Sequence, residues 1–254
     1  MGTRDHGRAR IAGRIRLSLP GDDRQALGLE LGLVPFGGVG SENAPGAFTT
    51  LWTAGQVARI RRAGIAGMPL SITFGGPHLS APSFRRAGVR AGDNVFPVHV
   101  RGGRMLLLGR MQVAEILPVE DFVARHPARF DPLREHPAYQ RLERHLDTEA
   151  LRAFWLLRLW LAGQPEIDAL CPGEADEVVL AADATPIRLD LKVPVEALAA
   201  LRWRSPRRPE RAIKHLSADG RIERTVSLQG IYRLTTAGGA LLGALTDQAH
   251  GDRG

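Results

Sequence analysis

Apolar and polar residues alternate at Ile11, Ile15, Leu17 and Leu19, the two-residue period of a strand buried on one face. The turn formers Pro20-Gly21-Asp22-Asp23 follow. Leu27 to Phe36 alternates again as a second strand, and Gly37 to Gly46 is a glycine-rich loop. Residues 1–9, polar and rich in arginine and glycine, read as disordered. The period then changes. Thr53 and Gln56 have the spacing of an N-terminal capping box, which predicts a helix through Ala63 stopped by Gly64. Val57 and Ile60 would face inward, and Arg59, Arg61 and Arg62 outward.

Met68 to Phe74 reads as a strand ahead of the loop Gly75-Gly76-Pro77-His78. Arg85-Arg86 leads into a tight turn over Gly88 to Asp93. Val95 to Val100 is a strand, Arg101-Gly102-Gly103 a hairpin turn, and Met105 to Leu117 a long strand bent at Gly109. Pro118 sits at the first turn of a brief helix through Arg125. Pro127, Pro132 and Pro137 punctuate the next stretch, and residues 138–146 are helical and charged. Asp147 or Thr148 caps a helix to Ala162, closed by Gly163 and Pro165. That helix is apolar almost all round, as in a buried layer or an interface.

Strands are expected near Glu177–Leu180 and Ile187–Leu191, then a helix from Pro194 through Arg202. Ala212–Leu216 and Arg221–Leu228 suggest a hairpin around Ala218-Asp219-Gly220. A last helix spans Thr236 to Leu245, and the tail from Gln248 is polar. The chain thus reads as α+β in three parts: a strand-rich module over 1–117, a helical connector over 118–165, and a smaller α+β module over 166–254.

Composition narrows the class. A chain of 254 residues, 44% hydrophobic and 24% charged, is long enough for a core without disulfides or metal. Cys171 is the one cysteine, which fits a reducing compartment. No apolar run reaches the length of a membrane span, and no apolar run follows the N-terminal arginines as in a secretory signal. The expectation is a soluble cytoplasmic protein. Net charge is +7, and of 34 basic residues only Lys192 and Lys214 are lysine. Arginine suits phosphate, although arginine, alanine, glycine and proline are abundant together, as a GC-rich coding bias produces. The excess lies in residues 1–110, which would draw a polyanion there first.

Nucleotide hydrolysis has no support, since Gly37, Gly38 and Gly40 lack dinucleotide spacing and no phosphate-loop pattern occurs. His78, His99, His126, His136, His145 and His215 have no metal-ligand spacing. Cys171, between Leu170 and Pro172, reads as a small apolar filler. No nucleophile-elbow pattern supports a serine triad. Neither a metal nor a cofactor is expected.

One resemblance carries function. The segment Val89-Arg90-Ala91-Gly92-Asp93-Asn94-Val95-Phe96-Pro97-Val98-His99-Val100, then Arg101-Gly102-Gly103 and Arg104 to Val113, resembles the PUA-like superfamily, the small β-barrels that include ASCH and EVE domains. In these a Gly-Asp turn feeds a strand, a hairpin and a second strand. The likeness covers roughly residues 48–117. Cys171 to Asp190 and Ser227 to Leu234 also resemble bacterial proteins, with no activity implied. A PUA-like barrel implies a reader of RNA or of a modified base, holding a strand in a cleft beside the barrel. Trp52, Phe74, His78, Arg85 and Arg86 are its candidates, with rings for stacking and arginines for phosphate. Core packing is the competing role for Trp52 and Phe74. The densest basic run gives Arg202, Trp203, Arg204, Arg207 and Arg208, against the alternative of a solvated loop. A non-catalytic nucleic-acid-binding protein is therefore expected, with its site in the loops of residues 74–90. Two alternatives stand: a scaffold or homodimer using the apolar helix over 149–162, and an enzyme acting on a nucleotide or small molecule from a dispersed site.

Overall fold

The computed structural model of the chain describes residues 45–78, 81–205 and 208–251. The strands expected at 11–19 and 27–36, with most of the Gly37–Gly46 loop, lie outside these residues.

The β3 sequence, Asn94–Arg101, is the key to the architecture. Its run Val95-Phe96-Pro97-Val98 does not alternate in polarity, so the strand must be covered on both faces. β3 turns at Gly102-Gly103 into β4 (Arg104–Leu107). Side chains of this hairpin alternate between two cores. Val95 and Leu106 enter one, with Phe48, Trp52, Ile60 and Phe122. Phe96, Val98, Met105 and Leu107 enter the other, with Leu198, Trp203 and Leu242.

Seven strands make one mixed sheet. β1 (Ala47–Leu51), β2 (Ile72–Gly75), β5 (Met111–Pro118), β6 (Glu177–Ala184) and β9 (Ile231–Arg233) run in the order β2-β6-β5-β3-β1-β9, with β4 paired to β3. The class is α+β. Among the described residues the end strands β2 and β9 do not pair, so the sheet is open and does not close into the expected barrel. β6, from the C-terminal third, lies between β2 and β5, so residues on both sides of the helical stretch share one sheet. β7 (Trp203–Ser205) and β8 (Arg208–Arg211) form a separate two-stranded sheet.

Helices cover both faces. α1 (Ala54–Ala63) opens at Thr53, whose hydroxyl accepts the Gln56 N–H, and ends at Gly64, with Val57 and Ile60 buried. The Gln56 side chain does not close the capping box; its Nε2 donates to the Leu170 carbonyl at 3.2 Å and ties α1 to the far side of the core. α2 (Val119–Arg125) follows Pro118, and Pro127 and Pro137 each open a helix, α3 (Pro127–Arg134) and α4 (Pro137–Glu143). A proline at the first helical position loses no intrahelical bond. α5 (Glu149–Ala162) is capped by Thr148 and buries Ala153, Leu156, Leu157 and Leu161 within the chain. Its Trp160 ring packs against Phe122 and Phe130, and Leu151 stays 42% exposed. α6 (Pro165–Asp168) is one turn. The second core lies under α7 (Val195–Ala200) and α8 (Thr236–Gly251), which runs six residues past the expected end at Leu245.

Several expected strands are shorter or absent. The strand expected over Met68 to Phe74 starts only at Ile72 and runs to Gly75. Met105 to Leu117 breaks at Leu108–Arg110, where Gly109 takes φ 149° and splits β4 from β5. Ile187–Leu191 is not a strand, and the hairpin expected around Asp219 reduces to one bridge between Leu216 and Ile222. The Gly92-Asp93 turn is present, with Gly92 at φ 86°. The Asp93 carboxylate accepts the Gly46 N–H at 2.6 Å and the Arg90 N–H at 2.8 Å, both upstream, and so fastens β1 beside β3. No helix among the described residues is long and apolar enough to cross a membrane.

A buried carboxylate organises the loop before that turn. Glu177 accepts the Ser83 hydroxyl at 2.6 Å, the Phe84 N–H at 2.8 Å and the Arg85 N–H at 3.4 Å. Replacing it strands these donors away from water, each at a cost of about 1–3 kcal/mol. Glu177→Ala is expected to lower stability in urea unfolding by about 2–3 kcal/mol, with Glu177→Gln, which keeps one acceptor, between it and wild type.

Candidate nucleic-acid interface

The strand break at Gly109 sets the first charged group of the site. Thr185 grips the next residue in both directions: its hydroxyl oxygen accepts the Arg110 N–H at 2.7 Å, and its O–H donates to the Arg110 carbonyl at 3.3 Å. The Arg110 guanidinium then lies between Asp183 of β6 at 3.1 Å and Asp247 of α8 at 3.2 Å. Its Nε is buried and has no hydrogen-bond partner.

Two further arginines arrive from distant segments. Trp203 is buried, and its indole N–H donates to the Thr49 hydroxyl at 2.8 Å, which anchors β7 and delivers Arg204 to the surface. β9 pairs antiparallel with β1, and Arg233, opposite Phe48, lies 5.8 Å over that ring. Arg204 and Arg233 are exposed and make no ion pair among the described residues.

Arg110, Arg204 and Arg233 line one cleft of about 670 Å³ together with Asn94, Thr235, Thr236, Gly239, Gly243 and Asp247. Its wall is the N-terminal half of α8. Thr235 caps that helix by accepting the Gly238 N–H at 3.2 Å, and the first turn carries no acidic residue. The helix dipole therefore adds its positive end to the three guanidinium groups. Asp247, already engaged by Arg110, is the single carboxylate of the lining among the described residues. Chemically the cleft suits an anion with several oxygen acceptors, such as a phosphate group.

The residues expected from the sequence distribute differently. Trp52 and Phe74 are core, 3% and 4% exposed, with no ring face open for a base. The same holds for Trp203 at 1%. His78 is exposed and pairs with Glu174 at 2.5 Å. Arg85 and Arg86 lie exposed on the Glu177-held turn, and Arg85 lines a separate shallow cleft with Arg90 and Glu115. The Arg202 guanidinium donates to the carbonyls of Ala199 and Leu201 at 2.6 and 2.9 Å, closing the end of α7. Arg207 lies outside the described residues, and Arg208 is described only by its place in β8. Of the expected set, Arg204 alone reaches the cleft around Arg110 and Arg233. Those two were not singled out, because a lone arginine at a strand end has no pattern; the break at Gly109 was the available signal for Arg110.

Among the described residues no group of three or more histidine, cysteine, aspartate or glutamate side chains could hold a metal. Burial pushes the Cys171 thiol up from its usual range, with backbone and Arg158 contacts opposing less strongly. A thiol held protonated is a poor nucleophile. Iodoacetamide is expected to leave Cys171 unmodified in the native protein at pH 8 and to alkylate it in urea, read by mass spectrometry. Comparison with models of protein families, with curated proteins and with solved structures gives no match.

Proposed function

We propose that the protein binds a nucleic-acid strand through its phosphates at the Arg110, Arg204 and Arg233 cleft, without catalysis. The observation that carries this is the convergence of three guanidinium groups from separate segments on the N-terminal half of α8, two of them with no ion pair among the described residues. A cleft of this size takes a nucleotide-sized group. The burial of Trp52, Phe74 and Trp203 favours backbone contact over base stacking. In the same reading residues 48–117 are a PUA-like unit, supported by the Gly92-Asp93 turn that feeds the β3–β4 hairpin.

Three phosphate contacts set the salt dependence. With a slope of about 0.7 per phosphate for single strands, affinity should fall roughly twentyfold between about 50 and 200 mM salt. Fluorescence anisotropy with a labelled RNA or DNA of about twelve nucleotides measures it. Arg204→Glu with Arg233→Glu is expected to weaken binding at least about tenfold and to flatten the salt slope, with thermal stability unchanged. Absence of binding to either polymer at low salt would overturn the proposal.

A further inference from the structure

The far end of α8 carries a second cleft, of about 700 Å³, lined by Arg61 of α1, Arg101 at the end of β3, Arg188, Asp190 and His250. Arg188 is engaged. Its Nε and Nη2 donate to the two Asp190 oxygens at 2.8 and 3.0 Å, and its Nη1 donates to the Ala249 carbonyl at 2.9 Å. Arg61 and Arg101 are exposed and make no ion pair among the described residues. The described lining thus holds three arginines against one aspartate, the same balance as around Arg110, Arg204 and Arg233.

Three segments reach both clefts. On α8, Asp247 lines the first and His250, one turn on, lines the second. On β3, Asn94 at the start lines the first and Arg101 at the end lines the second. After β6, Thr185 holds Arg110 in the first cleft, and Pro186 to Asp190 line the second. The spans agree. Thr236 to His250 is about 21 Å along the helix axis, and Asn94 to Arg101 is about 23 Å along the strand. Between Thr236 and Asp247 the helix lines the first cleft with Gly239, Ala240, Gly243 and Ala244, so no long side chain bars a ligand from its surface.

Two basic clefts joined along one helix suit a chain of phosphates rather than a single small anion. Phosphates of a stacked strand advance about 3.4 Å each, so about six of them or fewer cover the distance. We propose that the Arg61 and Arg101 cleft is a second phosphate site, and that one nucleic-acid strand runs along α8 from the first cleft to it. The proposal rests on the nucleic-acid reading of the first cleft. Exposed guanidinium groups take phosphate oxygens of RNA and DNA alike, so the second site adds affinity and salt dependence without sequence preference.

The test titrates the full chain by anisotropy with labelled RNA and DNA of about twelve nucleotides over a salt series. The first cleft alone accounts for the roughly twentyfold fall between about 50 and 200 mM salt; two more phosphate contacts raise the wild-type fall to roughly a hundredfold. Arg61→Ala with Arg101→Ala should weaken both polymers at least about fivefold at low salt and return the fall to roughly twentyfold, with thermal stability unchanged. Arg141→Ala with Arg144→Ala removes the same charge from exposed positions at α4, over the first core, and should change neither affinity nor slope. Calorimetry should count one oligomer per chain. A wild-type fall of only about twentyfold would overturn the proposal. So would an effect of the Arg61 and Arg101 pair no larger than that of the Arg141 and Arg144 pair, or two oligomers bound per chain. In those cases binding that still responds to Arg204→Glu with Arg233→Glu leaves the first cleft's reading standing, whereas no binding of either polymer overturns both. The wild-type slope and the stoichiometry need no variant, so an unfolded variant does not blunt the test.

Discussion

The β3–β4 hairpin is apolar on both faces, and the rest of the molecule is arranged by the need to cover it. A strand exposing such a run to water on either side would forfeit roughly 25 cal/mol for each Å² left uncovered. One face receives α1, α2 and α5, and the other receives α7, α8 and Trp203. The cover on the second face ends along α8, where Gly239 of the helix approaches Ala47 of β1 closely. Arg110, Arg204 of β7 and Arg233 of β9 therefore surround a cleft rather than a packed seam.

Local signals in the sequence were legible where the physics is local. Thr53 and Gly64 bound α1 because a capping hydroxyl and a left-handed glycine act within one turn. Arg101-Gly102-Gly103 gave the hairpin, and Thr148 with Gly163 gave α5, for the same reason. The open sheet was not legible, since β1 and β9 are short and owe their pairing to partners far along the chain. The aromatic residues illustrate the same limit. Nothing in composition separates a tryptophan whose N–H meets a buried threonine from one that offers its face to a base, and Trp203 proved to be the first kind. His250 lay in a tail read as polar, because the apolar pattern of α8 stops at Leu245 while its hydrogen bonding continues.

The arginine excess resolves into distinct uses. Arg59, Arg152, Arg188, Arg202 and Arg211 donate to main-chain carbonyls of other segments or of helix ends, contacts that suit a planar fork of donors. Arg125, Arg134 and Arg158 pair with carboxylates at the surface, contacts of small energetic weight. A basic composition is thus in large part architectural. The arginines of interest for a ligand are those the fold brings together at the cleft, of which Arg204 and Arg233 make no ion pair among the described residues.

The place of β6 has a consequence for synthesis. β2 and β5 leave the ribosome well before residues 177–184 that pair with both of them. Until that strand emerges, each keeps an unpaired edge, the kind of surface that invites pairing with another chain. The four helices from α2 to α5 are made in that interval, and their packing on the first core does not close those edges. The nascent chain is therefore most prone to aggregate in the window between residues 118 and 177, and a slowly translated stretch there would lengthen the exposure.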